Sequence, residues 1–195
     1  MEIWNLVFMQ FDRSVIDGRP RLDPLPAPSI DTGAGLERMA CLVQGKGSNY
    51  DTDLLRVLVD AAAELSGKSY GGSMQPDDVS MRVIADHART TAFLIAEGVL
   101  PDRTGRQYVL RRVMRRAVRH GHRLGITAPF LHQVTDRVID LMSGQYPELR
   151  ERRDLILTVS EQEEIRFRQT IERGLGLNLD CLCDGFETLA FRRNL

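Results

Sequence analysis

The chain has 195 residues, 43% of them hydrophobic and 27% charged, with a formal net charge of −1. This is the make-up of a soluble globular protein with material for one large domain or two small ones, and it excludes a polycation. No apolar run approaches the roughly 20 residues of a membrane span, and the opening M-E-I-W-N lacks the basic start of a signal peptide.

In chain order, E-I-W-N-L-V-F-M-Q-F at residues 2–11 predicts a strand that is apolar on both faces. Ile3, Asn5, Val7, Met9 and Phe11 fall on one side, and Trp4, Leu6 and Phe8 on the other. Such a strand suits the centre of a sheet covered above and below, and its edge would be prone to association if left open. Residues 12–28, broken by D-G, R-P, D-P, L-P and A-P, predict a loop. A second short strand is expected near Ser29–Asp31.

From Leu36 the pattern is helical. Leu36, Met39, Ala40 and Val43 make one stripe, and Leu54, Leu55, Leu58, Val59, Ala62 and Leu65 another. Further helices are expected at about 78–97, 106–124, 130–143 and 149–173. Two strands followed by helices alone are not a self-sufficient layered fold. The expectation is therefore a piece of a larger protein, cut inside a sheet domain and running into a helical one.

Three cysteines, Cys41, Cys181 and Cys183, give an odd number and no disulfide framework, which suits a reducing, cytoplasmic setting. The C-x-C at Cys181 and Cys183 lacks the second pair of a zinc site, so no zinc is expected. His87, His120, His122 and His132 make no convincing ligand set either, and read as solvated or core imidazoles.

Three features carry chemistry. In S-I-D-T-G-A-G-L-E-R-M-A, Ser29–Ala40, Arg38 replaces the third glycine of a dinucleotide fingerprint, which therefore fails. The glycines still permit close approach of a ligand to the backbone. Asp31 at a strand end suits an ammonium group, and the Arg38 guanidinium suits phosphate oxygens. A plain strand–turn–helix junction with a surface Glu37/Arg38 is the other reading. Asn5, among apolar neighbours on the strand, needs hydrogen-bond partners; these are a structural network or, facing Asp31, a small polar ligand.

The third feature is Y-V-L-R-R-V-M-R-R-A-V-R-H-G-H-R-L-G, Tyr108–Gly125. From Arg103 to Arg123 there are eight arginines and no acid. Leu110, Val113, Met114, Ala117 and Leu124 face a core. Arg112, Arg116, Arg119 and Arg123 form a stripe flanked by Arg111 and Arg115. With no acid on the same helix to pair with, these charges call for acids on neighbouring helices or for phosphates, and a nucleic-acid backbone is the favoured partner.

Together, E-I-W-N-L-V-F-M-Q-F, L-P-A-P-S-I-D-T-G-A-G-L-E-R-M, S-N-Y-D-T-D-L, A-D-H-A-R-T-T-A-F-L-I-A-E-G-V and Y-V-L-R-R-V-M-R-R-A-V-R-H-G resemble the alanyl-tRNA synthetase family, in family order, over roughly residues 2 to 177. D-T-G-A-G-L-E-R is similar to that family's class II motif 3.

The resemblance implies an α+β fragment, predominantly α: the edge of a class II antiparallel sheet followed by a helical bundle. Residues 1–45 would be the C-terminal part of the catalytic domain and 46–177 a tRNA-recognition domain, with 178–195 an atypical tail. Asn5, the Val7 backbone, Asp31 and Gly33 would bind alanine. Gly35 and Arg38 would bind ATP, with Mg²⁺ at the triphosphate. Arg111, Arg112, Arg115, Arg116, Arg119 and Arg123 would bind the tRNA(Ala) acceptor stem, with Arg116 at a position implicated in reading it.

Nothing matches motifs 1 and 2. Gly105 stands where many bacterial members carry an Asn at the wobble pair, and the likeness stops after about Leu177. The resemblance therefore implies a ligase fragment that is inactive by itself and partnered by the rest of the synthetase. A non-catalytic RNA-binding module and a purely structural helical domain are the competing readings.

Overall fold

The computed structural model describes residues 2–174. The sequence begins with a ribbon of two long strands, β1 (Trp4–Ile16) and β2 (Arg19–Ala34), paired antiparallel. Asp17 and Gly18 join them with φ of 49° and 73°, the positive pair that a type I′ hairpin turn requires and that Asp-Gly accepts readily.

The expected loop at 12–28 and short second strand are thus replaced by one hairpin. The prolines that suggested a loop are absorbed in two ways. Pro20 and Pro24 sit in β2, which among the described residues pairs with β1 alone, where a missing N–H is tolerated. Pro26 and Pro28 fall where the register slips: Met9 faces Ser29 and Phe11 faces Pro24, so Leu25 to Pro28 stand opposite Gln10 alone.

The cover that the two apolar faces of β1 suit is not supplied among the described residues. Trp4, Phe8 and Ile30 are 59%, 66% and 64% exposed, because a two-stranded ribbon covers neither of its own faces.

Helix α1 (Leu36–Val43) follows β2 directly, and a 3-10 turn at Asn49–Asp51 leads into α2 (Asp53–Ser66). Contacts divide the chain into two units, Met1–Leu54 and Leu55–Leu195. In the second, α3 (Pro76–Ala96), α4 (Gly105–Leu124), α5 (Leu131–Met142), α6 (Pro147–Glu151) and α7 (Arg153–Gly174) pack together, with α3 touching each of the others. Pro76 at the first helical position of α3 and the acids Asp77 and Asp78 in its first turn are favourable helix-start chemistry. The Asp78 carboxylate also receives the Ser73 hydroxyl and the Gly71 and Ser73 amides, folding the preceding loop onto the helix start.

The core contains Leu58, Met81, Ile84, Ile95, Leu110, Met114, Leu124, Phe130, Leu131, Ile139, Leu149 and Ile156, all fully buried, each worth about 1.5–3 kcal/mol of transfer free energy. Of the α4 residues expected in the core, Leu110, Met114, Ala117 and Leu124 are buried, and Val113 is half-buried.

Two adjacent acids on α7 tie this bundle. Glu163 accepts Nε–H bonds from both Arg111 and Arg115 of α4, each at 2.9 Å. Glu164 accepts from the amides of Phe130 and Leu131 at 3.0 and 2.7 Å, capping α5 from another helix where Phe130 offers no capping side chain. Arg168 closes the arrangement, giving Nε–H to Glu164 at 2.8 Å and its other donors to the carbonyls of Ile126, Thr127 and Ala128.

Where α4 passes Phe130, Gly121 is buried, and a Cβ there would collide with the ring. Replacing Glu164 with Ala strands Arg168 and the two amides. It is expected to lower urea-unfolding stability by about 3–5 kcal/mol, and Gly121→Ala by about 1–3 kcal/mol through overpacking. Glu161→Gln, on the exposed side of α7, is expected to stay within about 0.5 kcal/mol of the parent.

Candidate functional site

The first candidate lies on one face of the hairpin. Asn5 is directly opposite Gly33, and Val7 directly opposite Asp31. Cross-strand partners share a face, so the register brings these four residues together, all exposed. A side chain at Gly33 would come within 3.2 Å of Asn5 Oδ1, so the glycine leaves Asn5 its room. Asp31 accepts the Thr32 amide at 2.8 Å. On the other face, the Trp4 indole donates to the Thr32 hydroxyl, which donates to the Asn5 carbonyl at 3.1 Å.

Arg38 enters from α1. Its Nη1 donates to the Glu2 carbonyl at 2.8 Å, and its aliphatic stem lies over Gly35, where a Cβ would meet Cδ at 3.1 Å. Both glycines therefore serve close approach. Within the unit Met1–Leu54, the ribbon presents an amide oxygen and a carboxylate and α1 a guanidinium, groups that suit an amino-acid ammonium and a phosphate.

The second candidate is the face of α4. The helix starts at Gly105, whose φ of 62° lies in the region open to glycine and tolerated by asparagine. Six of its seven arginines, Arg111 to Arg123, split by environment. Arg111 and Arg115 are spent on Glu163, with Arg115 also 4.8 Å from the Phe167 ring centroid. Arg112 is exposed and lies over the Tyr108 ring. Arg116 and Arg123 are exposed and Arg119 is half-buried; among the described residues none of these three has an ion-pair partner.

On α3, Asp86 contacts His87 at 3.0 Å and Arg89 at 3.9 Å. The hydrogen bond with His87 first, then the charges of His87, Arg89 and Arg116, hold its carboxyl below the usual 3.8. His120 lies within the arginine stripe. Burial first, then the charges of Arg116, Arg123, His87 and Arg119, push it down from 6.5 to about 4. In the sequence His120 reads as a solvated or core imidazole; its place at i+4 from Arg116 and i−3 from Arg123 is the signal that sets it in the stripe.

Two surface clefts, of about 290 and 270 Å³, lie elsewhere. The first is lined by His122, Gly125, Ile126 and Arg168 among others, and the second by His132, Asp136, Arg137 and Asp140 among others. Neither takes in any of the residues above. Among the described residues, no helix is long and apolar enough to cross a membrane. Cys181, Cys183 and the 178–195 tail lie outside the described residues.

The family of class II (A) tRNA synthetases matches residues 1–183, and the chain belongs to it. Its relatives include alanine–tRNA ligases from Sorangium cellulosum (68% identical over 174 residues), Anaeromyxobacter sp. strain Fw109-5 (59% over 177) and Myxococcus xanthus (57% over 178). These alignments take in 89%, 91% and 91% of this chain and 19% of each relative. The chain thus spans about a fifth of the length of the ligases it matches.

The depressed His120 value fixes a pH response. As pH falls below 6.5 the unfolded chain takes up a proton that the folded chain refuses, so stability declines until the folded histidine titrates at about 4. The carboxyls of Asp78 and Asp86, lowered from 3.8, contribute stability that is present above that value and lost as pH falls through their folded values. Urea midpoints taken from pH 6.5 down to about 4 are expected to fall less steeply in His120→Gln than in the parent.

Proposed function

We propose that the chain is the part of an alanine–tRNA ligase that supplies one wall of the alanine and ATP site together with the helices that hold the tRNA(Ala) acceptor stem. The observation that carries this reading is the division of the α4 arginines. Arg111 and Arg115 meet a buried carboxylate, while Arg112, Arg116, Arg119 and Arg123 stand along a face with no acid on the same helix. A positive face of this kind is suited to phosphates. The relatives are alanine–tRNA ligases, and that name gives the RNA and the amino acid.

In this reading Asp31 supplies the countercharge to the alanine ammonium, with Asn5 and the Val7 backbone beside it, and Gly33 leaves the substrate room. Arg38, over Gly35, meets phosphate oxygens of ATP, and its fixed charge offsets charge that builds up as the adenylate forms. Among the described residues no three His, Cys, Asp or Glu side chains cluster so as to ligate a metal ion. The same reading places the protein in the cytosol, working with the remainder of a synthetase.

The test separates the two walls. The 195-residue chain is expected to bind an acceptor-stem RNA with strong salt dependence, while alanine-dependent ATP–pyrophosphate exchange stays at background, since these residues supply one wall of the site. Replacing Arg116, Arg119 and Arg123 together with Gln is expected to cut the slope of log affinity against log salt by up to about 3, roughly one unit per lost phosphate contact. RNA binding unchanged in this variant would leave only a structural helical domain, and robust exchange by the chain alone would refute the division of labour.

A further inference from the structure

The arginine face contains one group of the opposite hydrogen-bonding character. The Ser80 hydroxyl on α3 donates to the Pro76 carbonyl at 2.7 Å, and a hydroxyl has a single hydrogen to give. His120 Nδ1 lies 3.0 Å from the same oxygen. With that hydrogen already committed, Nδ1 must be the donor and the serine oxygen the acceptor. A neutral imidazole protonated at Nδ1 carries its lone pair at Nε2.

The ring is only partly buried, and Nε2 has no partner among the described residues. Holding α3 to α4 uses Nδ1 alone. Arg112, Arg116, Arg119 and Arg123, which share the stripe, are donors only. A phosphate is an acceptor, so a bare lone pair set among these arginines works against phosphate binding. It suits a group that donates.

We propose that His120 Nε2 is the hydrogen-bond acceptor of this face, taking a donor from the minor-groove side of A-form RNA, either a guanine amino group or a ribose 2′-hydroxyl. This rests on the RNA reading above and adds to it a residue that selects rather than merely attracts. The minor groove of A-form RNA is wide and shallow and displays 2′-hydroxyls and base edges. The guanine amino group is the donor among the base groups of that groove. Arginines on phosphates set the position, and an acceptor between them reads a donor there.

The experiment is a set of binding titrations of the whole chain on a short acceptor-stem RNA hairpin. Variant hairpins carry inosine for single guanosines, which removes the amino group, or single 2′-deoxy nucleotides, which remove the hydroxyl. The parent chain is expected to prefer the unmodified hairpin over one of these by about 3- to 10-fold, the range of a single hydrogen bond. Loss at inosine identifies the base, and loss at a 2′-deoxy position identifies the ribose. His120→Leu is expected to bind the modified and unmodified hairpins alike while keeping the parent's salt slope. His120→Gln, which retains an acceptor, is expected to keep part of the preference.

A misfolded variant would lose the salt slope too, and the Gln variant then carries the comparison. A preference that survives intact in His120→Leu overturns the proposal, as does a parent chain indifferent to every modified position. Absence of salt-dependent binding in the parent chain overturns the RNA reading itself, a result distinct from the loss of selectivity alone.

Discussion

The helical unit depends on a pair of adjacent carboxylates. Glu163 and Glu164 are almost wholly buried on α7, and burying two acids is costly unless each is paired and hydrogen-bonded. Both are. Glu163 takes two guanidinium groups from α4, and Glu164 takes the open amides at the start of α5 along with Arg168. Neighbouring positions on a helix point in different directions, about 100° apart, so the two acids hold different helices from one place. Arg168 extends the grip to three carbonyls in the connection between α4 and α5.

This arrangement also determines how α4 is presented. Anchoring Arg111 and Arg115 inward fixes the rotation of the helix, and the rest of its charge is then carried round to the stripe of Arg112, Arg116, Arg119 and Arg123. Arginine suits both tasks, as a rigid fork for a buried carboxylate and as a phosphate ligand elsewhere. The like charges along the stripe repel one another, and part of that field falls on His120 and on Asp86 across the helix pair. Burial first, and then this field, favour the neutral imidazole, so His120 stays a hydrogen-bonding group instead of one more cation.

The hairpin unit follows a different logic. Its strands are long and regular, yet its apolar faces are exposed, so local pairing and not a core defines it. Precision there comes from register. With Asp17-Gly18 setting the turn and one irregularity absorbing Pro26 and Pro28, Asn5 meets Gly33 and Val7 meets Asp31. A slip of one residue would send each of these side chains to the opposite face.

Much of this was legible in the amino-acid order. Helical periodicity placed the helices to within a few residues, because an amphipathic stripe is a local property, except that the single helix expected at 149–173 is divided at Arg152 into α6 and α7. Strand alternation placed Asn5 and Val7 on one face, while the glycines, read in the sequence as room for a ligand, lie against the Asn5 amide oxygen and the Arg38 stem. The prolines of residues 12–28 misled, because a proline reports a missing N–H without telling whether any neighbour needed it. The helical spacing already set Arg111 and Arg115 beside the stripe; only the tertiary structure decided that these two pair inward, because the acid they meet, Glu163, lies some fifty residues away in sequence. The tautomer of His120 was decided in the same way, by a serine forty residues earlier whose one hydrogen was already spent.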